Sequence, residues 1–220
     1  MYKTMKLYMV YYLFFLLVQC LYGADDHQFW NKVSIEKKIP FSLKLELSQG
    51  LRLKDCLSKF NQGFFELALS YKDSNGLRIN IPYRYTIFED KIKHRLTLGV
   101  SYQYSFKPVS LKYRIKYYRL YENGESVGKD GKALGDLIRN KFIIKYKADK
   151  KTNPYISGEL FHLLNTNNNP FDEYRASLGV EIDLPRKNSI NLFYILEKEN
   201  LSKSNPDNIK IFGLSYTFKL

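Results

Sequence analysis

The sequence predicts an all-β fold: a transmembrane antiparallel β-barrel of about ten to twelve strands, with twelve slightly favoured by the patterning of the first segment, behind a cleaved signal peptide. Three observations predict it. The stretch Lys210 to Leu220 alternates strictly, with Phe212, Leu214, Tyr216, Phe218 and Leu220 apolar and Gly213, Ser215, Thr217 and Lys219 small or polar. That is the period of a strand with one greasy and one wet face, at about the 9–11 residues a tilted strand needs to cross a bilayer. Composition is the second: 19 Tyr and 15 Phe against 1 Trp, in a chain of 220 residues with net charge +13. Tyr and Phe favour strands, and Tyr suits the lipid–water boundary. Third, no apolar run after residue 24 is long enough for a membrane helix, and short and long connections alternate along the chain. A mean hydropathy of −0.38 gives no membrane signal, as expected when apolar residues are interleaved with polar ones.

The first segment reads as a targeting signal. Lys3 and Lys6 precede the uncharged stretch Leu7 to Val18, and Gly23 and Ala24 supply small residues before Asp25 and Asp26. The domain boundaries are therefore 1–23 for the signal peptide and 24–220 for one barrel. Leu17-Val18-Gln19-Cys20 faintly resembles a lipobox, with Gln19 out of place before the cysteine. Cleavage leaves Cys56 alone, so no intrachain disulfide is expected.

Strands then follow in order. Phe29 to Lys37 is a weak first strand, and Phe41, Leu43, Leu45 and Leu47 alternate with Ser42, Lys44, Glu46 and Ser48. Phe65, Leu67, Leu69 and Tyr71 form the next apolar face, closed by Asp73-Ser74-Asn75-Gly76, whose Asn-Gly is a hairpin signal. Leu77 to Ile87 returns against Arg78, Asn80 and Arg84, and Ile92 to Tyr104 alternates with Lys93, Arg95, Thr97, Ser101 and Gln103. After the tight connection at Phe106-Lys107-Pro108, Val109 to Tyr117 faces away from Lys112, Arg114 and Lys116. A glycine-punctuated loop, roughly Glu122 to Gly135, separates the halves. Ile138, Phe142, Ile144 and Tyr146 oppose Arg139, Lys141 and Lys145; Ile156, Gly158 and Leu160 face out if Ser157 and Glu159 face in. After the asparagine-rich run Asn165 to Asn169, Tyr174 to Ile182 opposes Glu173, Arg175, Glu181 and Asp183. Pro185 to Asn188 turns the chain, Ile190 to Glu197 runs back, and the polar loop Asn200 to Asn208 leads to the last strand.

The count is about eleven, whereas single-chain bacterial barrels carry an even number. Parity requires that the first segment be incomplete or that a partner lie near it. Pro82 interrupts a strand that has no free edge, so a bulge is expected there.

Phe29-Trp30, Ile35-Glu36-Lys37-Lys38, Leu69-Ser70-Tyr71-Lys72, Tyr83-Arg84-Tyr85, His94-Arg95, Arg139-Asn140-Lys141, Pro154-Tyr155, Tyr174-Arg175 and Gly213-Leu214-Ser215-Tyr216 come in this order along the chain. That series resembles uncharacterised outer-membrane barrels catalogued as domain of unknown function 2490. The resemblance covers nearly the whole mature chain and implies the fold and the cell outer membrane as location, without an activity or a site.

With apolar residues facing lipid, the lumen receives about twelve basic and about six acidic side chains. The basic candidates are Arg78, Arg84, Lys93, Arg95, Lys112, Arg114, Lys116, Arg139, Lys141 and Lys145; the acidic ones, mainly in later strands, are Glu159, Glu173, Glu181 and Asp183. Two readings follow. Opposite walls pair across a small lumen and plug it, or the cations line a narrow pore for anions. Expected partners are outer-membrane lipid, the assembly machinery that reads a C-terminal alternating strand, and an anionic permeant or a partner of the outer loops. Enzymatic sets are weak: alternation puts His162 opposite Ser157 and Glu159, and no His/Cys/Asp grouping has metal-ligand spacing. Gly124 to Lys129 lacks phosphate-loop spacing, and Lys129 and Lys132 suit lipid phosphates. No cofactor, metal, nucleic acid or catalytic residue is expected.

Overall fold

Alternation closes into one sheet in the computed structural model, which describes residues 26–122, 136–164 and 170–220, and the backbone of 125–126. The predicted signal peptide with Cys20, the loop glycines Gly124, Gly128, Gly131 and Gly135, Lys129, Lys132 and the asparagine-rich run lie outside the described residues. Eleven long strands build the barrel: β1 (Asp26–Ile39), β2 (Leu43–Lys54), β3 (Lys59–Lys72), β4 (Leu77–Ile87), β5 (Ile92–Phe106), β6 (Val109–Glu122), β7 (Asp136–Tyr146), β8 (Thr152–Leu163), β9 (Phe171–Asp183), β10 (Ser189–Glu199) and β11 (Asp207–Lys219). A two-residue stub, Glu125–Ser126, folds back on the end of β6. Consecutive strands pair antiparallel from β1 to β11.

The seam corrects the parity argument. Strand β1 is complete, and it pairs with β11 in parallel, from Asp26 opposite Ile209 to Glu36 opposite Lys219. Eleven alternating strands leave the first and last pointing the same way, so only a parallel ladder can satisfy their backbone groups. Closure demands paired edges, and an even count is one way to obtain them.

Pro82 produces no bulge. The β3–β4 ladder runs through it, Ala68 opposite Pro82. On the other side pairing stops after Asn80–Gly99 and resumes at Tyr83–Leu96 in unchanged register. The missing N–H is absorbed as a local gap toward β5, where Thr97 Oγ1 is buried without a hydrogen-bond partner. Register does shift elsewhere, between Arg52 and Leu53 and between Phe171 and Glu173.

Tight connections gather at one mouth: 40–42, 73–76, 107–108, 147–151 and 184–188, beside the end of β11. At the 73–76 turn between β3 and β4 Gly76 takes φ +92, the left-handed value its turn needs. The opposite mouth carries the connections after β2, β4, β6, β8 and β10 and the start of β1.

The outer face is apolar around the wall, with Leu47, Leu67, Ile81, Leu98, Ile156, Leu178 and Phe212 each about half exposed. On the closing strand Phe212, Leu214, Tyr216, Phe218 and Leu220 share that face, and Phe212 stacks on Phe29 of β1 at 6.1 Å. The inner face is mostly polar, as in Ser34, Ser48, Ser70, Thr86 and Ser101. Two apolar clusters break the rule. Tyr118, Leu137 and Phe161 form one; Ile195, Ile209 and Ile211, with Trp30 and Phe193, form the other. Glycines make room for inward rings: a Cβ on Gly213 would enter the ring of Phe193 in the second cluster, and one on Gly50 the ring of Phe64.

Candidate functional site: an arginine and aromatic ring in the lumen

Period-2 alternation aims every second residue inward, so each strand contributes one or two side chains at any depth. Near the long-loop mouth these contributions join into a closed circuit. The Arg52 guanidinium lies 3.6 Å over Trp30 and 5.9 Å from the Phe64 ring centre, and Arg84 covers Phe64 at 3.8 Å. Arg84 Nε donates to Glu66 at 2.6 Å, and Arg95 reaches the same carboxylate at 3.4 Å. Arg95 stands 4.7 Å over Tyr118, whose hydroxyl accepts from Arg139 at 3.3 Å. Arg139 and Arg175 flank Phe161 at 5.0 and 4.7 Å, and Arg175 returns to Trp30 at 5.1 Å. Five guanidinium groups thus alternate with four aromatic rings and one carboxylate. All these centroid distances fall within the ~6 Å range of cation–π attraction.

Carboxylates neutralise most of the ring. Glu159 takes Arg139 and, at 2.5 Å, Lys141. Arg175 is held by Glu173 at 2.6 Å and by Glu197. Among the described residues Arg52 has no carboxylate in ion-pair contact; its in-plane donors meet the Gln62 amide oxygen.

Of the other predicted lumen residues, Lys93 meets Glu122 at 3.7 Å, Lys145 meets Glu181 at 2.6 Å, and Asp183 accepts from Asn153 at 3.0 Å. Arg78, Lys112, Arg114 and Lys116 face inward with no carboxylate within 4 Å among the described residues. The expectation that opposite walls pair across the lumen is corrected: the pairs run along the wall, between neighbouring strands or one strand apart. Acids also stand in early strands, since Glu46 takes Lys32 at 3.2 Å and Glu36 takes Lys44 at 2.5 Å.

The ring's remaining members escape the polar-in rule. Trp30, Phe64, Tyr118 and Phe161 are apolar residues facing in, and their signal is a doublet, Phe64-Phe65 or Tyr117-Tyr118, that presents an aromatic to both faces. Arg52 and Glu66 were legible from the phase of Leu51-Leu53 and Phe65-Leu67.

Two cavities flank this belt. The one toward the long-loop mouth holds about 390 Å³ and is walled by eight of the ten ring members. The other, about 270 Å³, lies toward the short-turn mouth and is lined by Gln103, Ser110, Lys112, Lys141, Lys145 and Glu181 among others. They share no lining residue. Glu173, Glu197 and Glu199 bring carboxylate oxygens within 4.8 Å of one another, the one such grouping among the described residues, but Arg175 already occupies it. His162 packs on Phe171 at 5.4 Å on the outer face, away from inward Ser157 and Glu159.

The family model for proteins of unknown function, DUF2490, matches residues 27–208. The chain belongs to the DUF2490 family. Its fold also matches solved structures, among them a NanC porin in a rhombohedral crystal form, with a TM-score of 0.55 at 9% identity over 84% of this chain and 93% of that one. No curated protein sequence matches it. The DUF2490 chain and the porin share a barrel fold.

Proposed function

We propose that this DUF2490 chain is a non-catalytic barrel of the Gram-negative outer membrane whose narrow basic lumen is pinched shut at the arginine ring. One observation carries the reading: the ring is a complete circuit of stacked and ion-paired side chains, and the two cavities on its sides share no lining residue. Fixed charges and stacked rings hold such a constriction more firmly than single long side chains would, because each partner restricts the other. The apolar outer band supports a lipid environment, reached through the predicted 1–23 signal and an assembly machinery that reads β11. Separation of His162 from Ser157 and Glu159 supports the absence of lipid hydrolysis.

A second reading, a small anion-preferring pore, is favoured by Arg78, Lys112, Arg114 and Lys116, which have no carboxylate within 4 Å among the described residues and would draw anions through any opening. Planar-bilayer recordings of the purified, refolded barrel decide between the two. The pinched lumen predicts a silent parent and discrete steps once Trp30→Ala and Phe161→Ala open the ring. A conducting parent whose anion preference falls with Arg95→Ala plus Arg114→Ala establishes the pore instead. Cation preference would defeat both, and cleavage of lipid A or phospholipid would end the non-catalytic reading.

A further inference from the structure

We propose that the wall formed by β4, β5 and β6, on the short-turn side of the ring, is a binding site for a multiply charged oxyanion of the phosphate type. Register brings the groups together. Arg78 stands opposite Ser101, and Ser101 stands opposite Arg114, so the two arginines flank one buried hydroxyl from either side. Their Cα atoms are two strand spacings apart, about 10 Å, a span that two arginine side chains close from both edges. One row toward the mouth Gln103 stands opposite Lys112, and one row deeper Gly99 lies between Asn80 and Lys116.

This patch offers four cations, a hydroxyl and two amides, and no carboxylate. The nearest acids are already engaged: Glu66 holds Arg84 and Arg95, and Glu159 holds Arg139 and Lys141. Other cations, Lys145 and Lys44, bear on Lys112 together with Arg78 and Arg114. Like charges crowded on three adjacent strands repel unless something supplies the missing negative charge. Arg114 points to the same vacancy of charge, because its Nε is buried and has no acceptor. Arg95 also buries an unmatched Nε, but its guanidinium meets Glu66 and the Tyr118 face, whereas Arg114 has neither an ion pair nor an aromatic face among the described residues. Space adjoins it: Gln103, Ser110 and Lys112 line the cavity of about 270 Å³, several times a water's share of about 30 Å³.

The donor set selects the ligand. Planar guanidinium forks match the oxygen edges of phosphate, ammonium groups add unoriented charge, and Ser101 and Gln103 add neutral hydrogen bonds. A halide uses the charge but cannot accept along several separate directions. Free phosphate, sulfate and a terminal phosphoryl group on a small solute share the chemistry that fits. This site rests on the basic-lumen reading and is independent of whether the ring is shut.

The test titrates inorganic phosphate, sulfate and chloride, at matched ionic strength, into the refolded full chain in a phosphate-free sugar detergent, read by calorimetry and by ³¹P linewidth. Phosphate and sulfate should saturate, chloride should not compete, and Arg114→Gln should weaken binding about tenfold or more, the loss of one charge-assisted contact. Lys59→Gln, which removes an exposed cation paired with Asp55 outside the lumen, should leave affinity within about twofold. If Arg114→Gln loses the heat-modifiable gel migration of a folded barrel, Lys112→Gln takes its place with the same expectation. Non-saturating heats, equal losses in the Lys59 variant, or chloride competing on equal terms would overturn the site. A comparison of the same titrations with a small phosphomonoester identifies whether a carried phosphoryl group enters as well as the free ion. Phosphate bound saturably by a barrel that conducts cations would leave this site standing and remove the pinched anion-lumen reading, so the two fail separately.

Discussion

Replacing Glu66 by Gln should weaken the ring at the point where two arginines share one carboxylate. Glu66 accepts from Arg84 at 2.6 Å and from Arg95 at 3.4 Å, and its side chain is 13% exposed. Hydrogen bonds to charged groups contribute about 1.5–3 kcal/mol each, and stripping one partner from a buried ion pair costs about 3–5 kcal/mol. Lumen water and the surviving amide acceptor reduce that, while Arg84 and Arg95 are left facing each other as like charges. A loss of about 2–3 kcal/mol results. Trp30, the one tryptophan of the chain, lies in the ring itself, so its fluorescence during urea unfolding in lipid vesicles reports the change where it is made. Asp55→Asn, in an exposed pair with Lys59 outside the lumen, should match the parent. A Glu66→Gln shift below about 0.5 kcal/mol, the range of ordinary surface changes, would refute the claim that paired charges hold the ring.

Three further outcomes follow from the same geometry. Leu67→Arg, on the lipid-facing row between Leu47 and Tyr83, should cost about 2–4 kcal/mol in vesicles, whereas Leu220→Arg at the barrel rim should cost at most about 1 kcal/mol; equal costs would mean the outer band is misplaced. In a Cys56→Ser background, Lys32→Cys with Ser215→Cys should cross-link on mild oxidation, because the parallel seam pairs these residues at about 4.8 Å, inside the disulfide range; Lys32→Cys with Thr217→Cys, one row off, should not. At the 147–151 turn, Asp149 accepts from the Lys151 and Thr152 amides at 2.6 and 2.7 Å, which holds its carboxyl below the usual range. A depressed folded-state value means the turn's stabilisation is complete above the unfolded carboxylate pKa and fades as pH falls through the folded one; NMR titration of the Lys151 amide should show that low midpoint, and Asp149→Asn should abolish it.

Much of the architecture was legible because one rule, apolar out and polar in, acts on every strand independently. Leu43 to Leu53, Phe65 to Tyr71 and Phe212 to Leu220 obey it, and each falls on the face its phase dictates. The Asn75-Gly76 hairpin was legible for a local reason, the left-handed φ that glycine adopts without strain. Two things were not. Trp30, Phe64, Tyr118 and Phe161 face in because arginines cover them, and that compensation comes from other strands, beyond the reach of any single segment's periodicity. Strand parity escaped because direction at the seam is a property of the whole chain: β1 looks like any other strand until β11 arrives beside it with the same polarity. Pro82 shows the same limit on a smaller scale, since whether a lost donor bends a strand or leaves a gap depends on its neighbour.

The parallel seam also sets a schedule. Phe29 has one neighbour, Leu53 of β2, available almost at once, but its other edge waits for Phe212, nearly the whole described chain away. Every other ladder in the barrel joins strands consecutive in sequence and forms by zipping a hairpin. Closure is therefore the single long-range event and the slow one, because the ends of an open eleven-strand sheet must be brought together before their contacts repay the entropy. Until then both rims of the sheet are raw backbone, β1 on one side and β11 on the other, each a template for a foreign strand. A chain stalled at that stage is most exposed to mispairing, and whatever shields those two rims during insertion governs how much barrel the cell obtains.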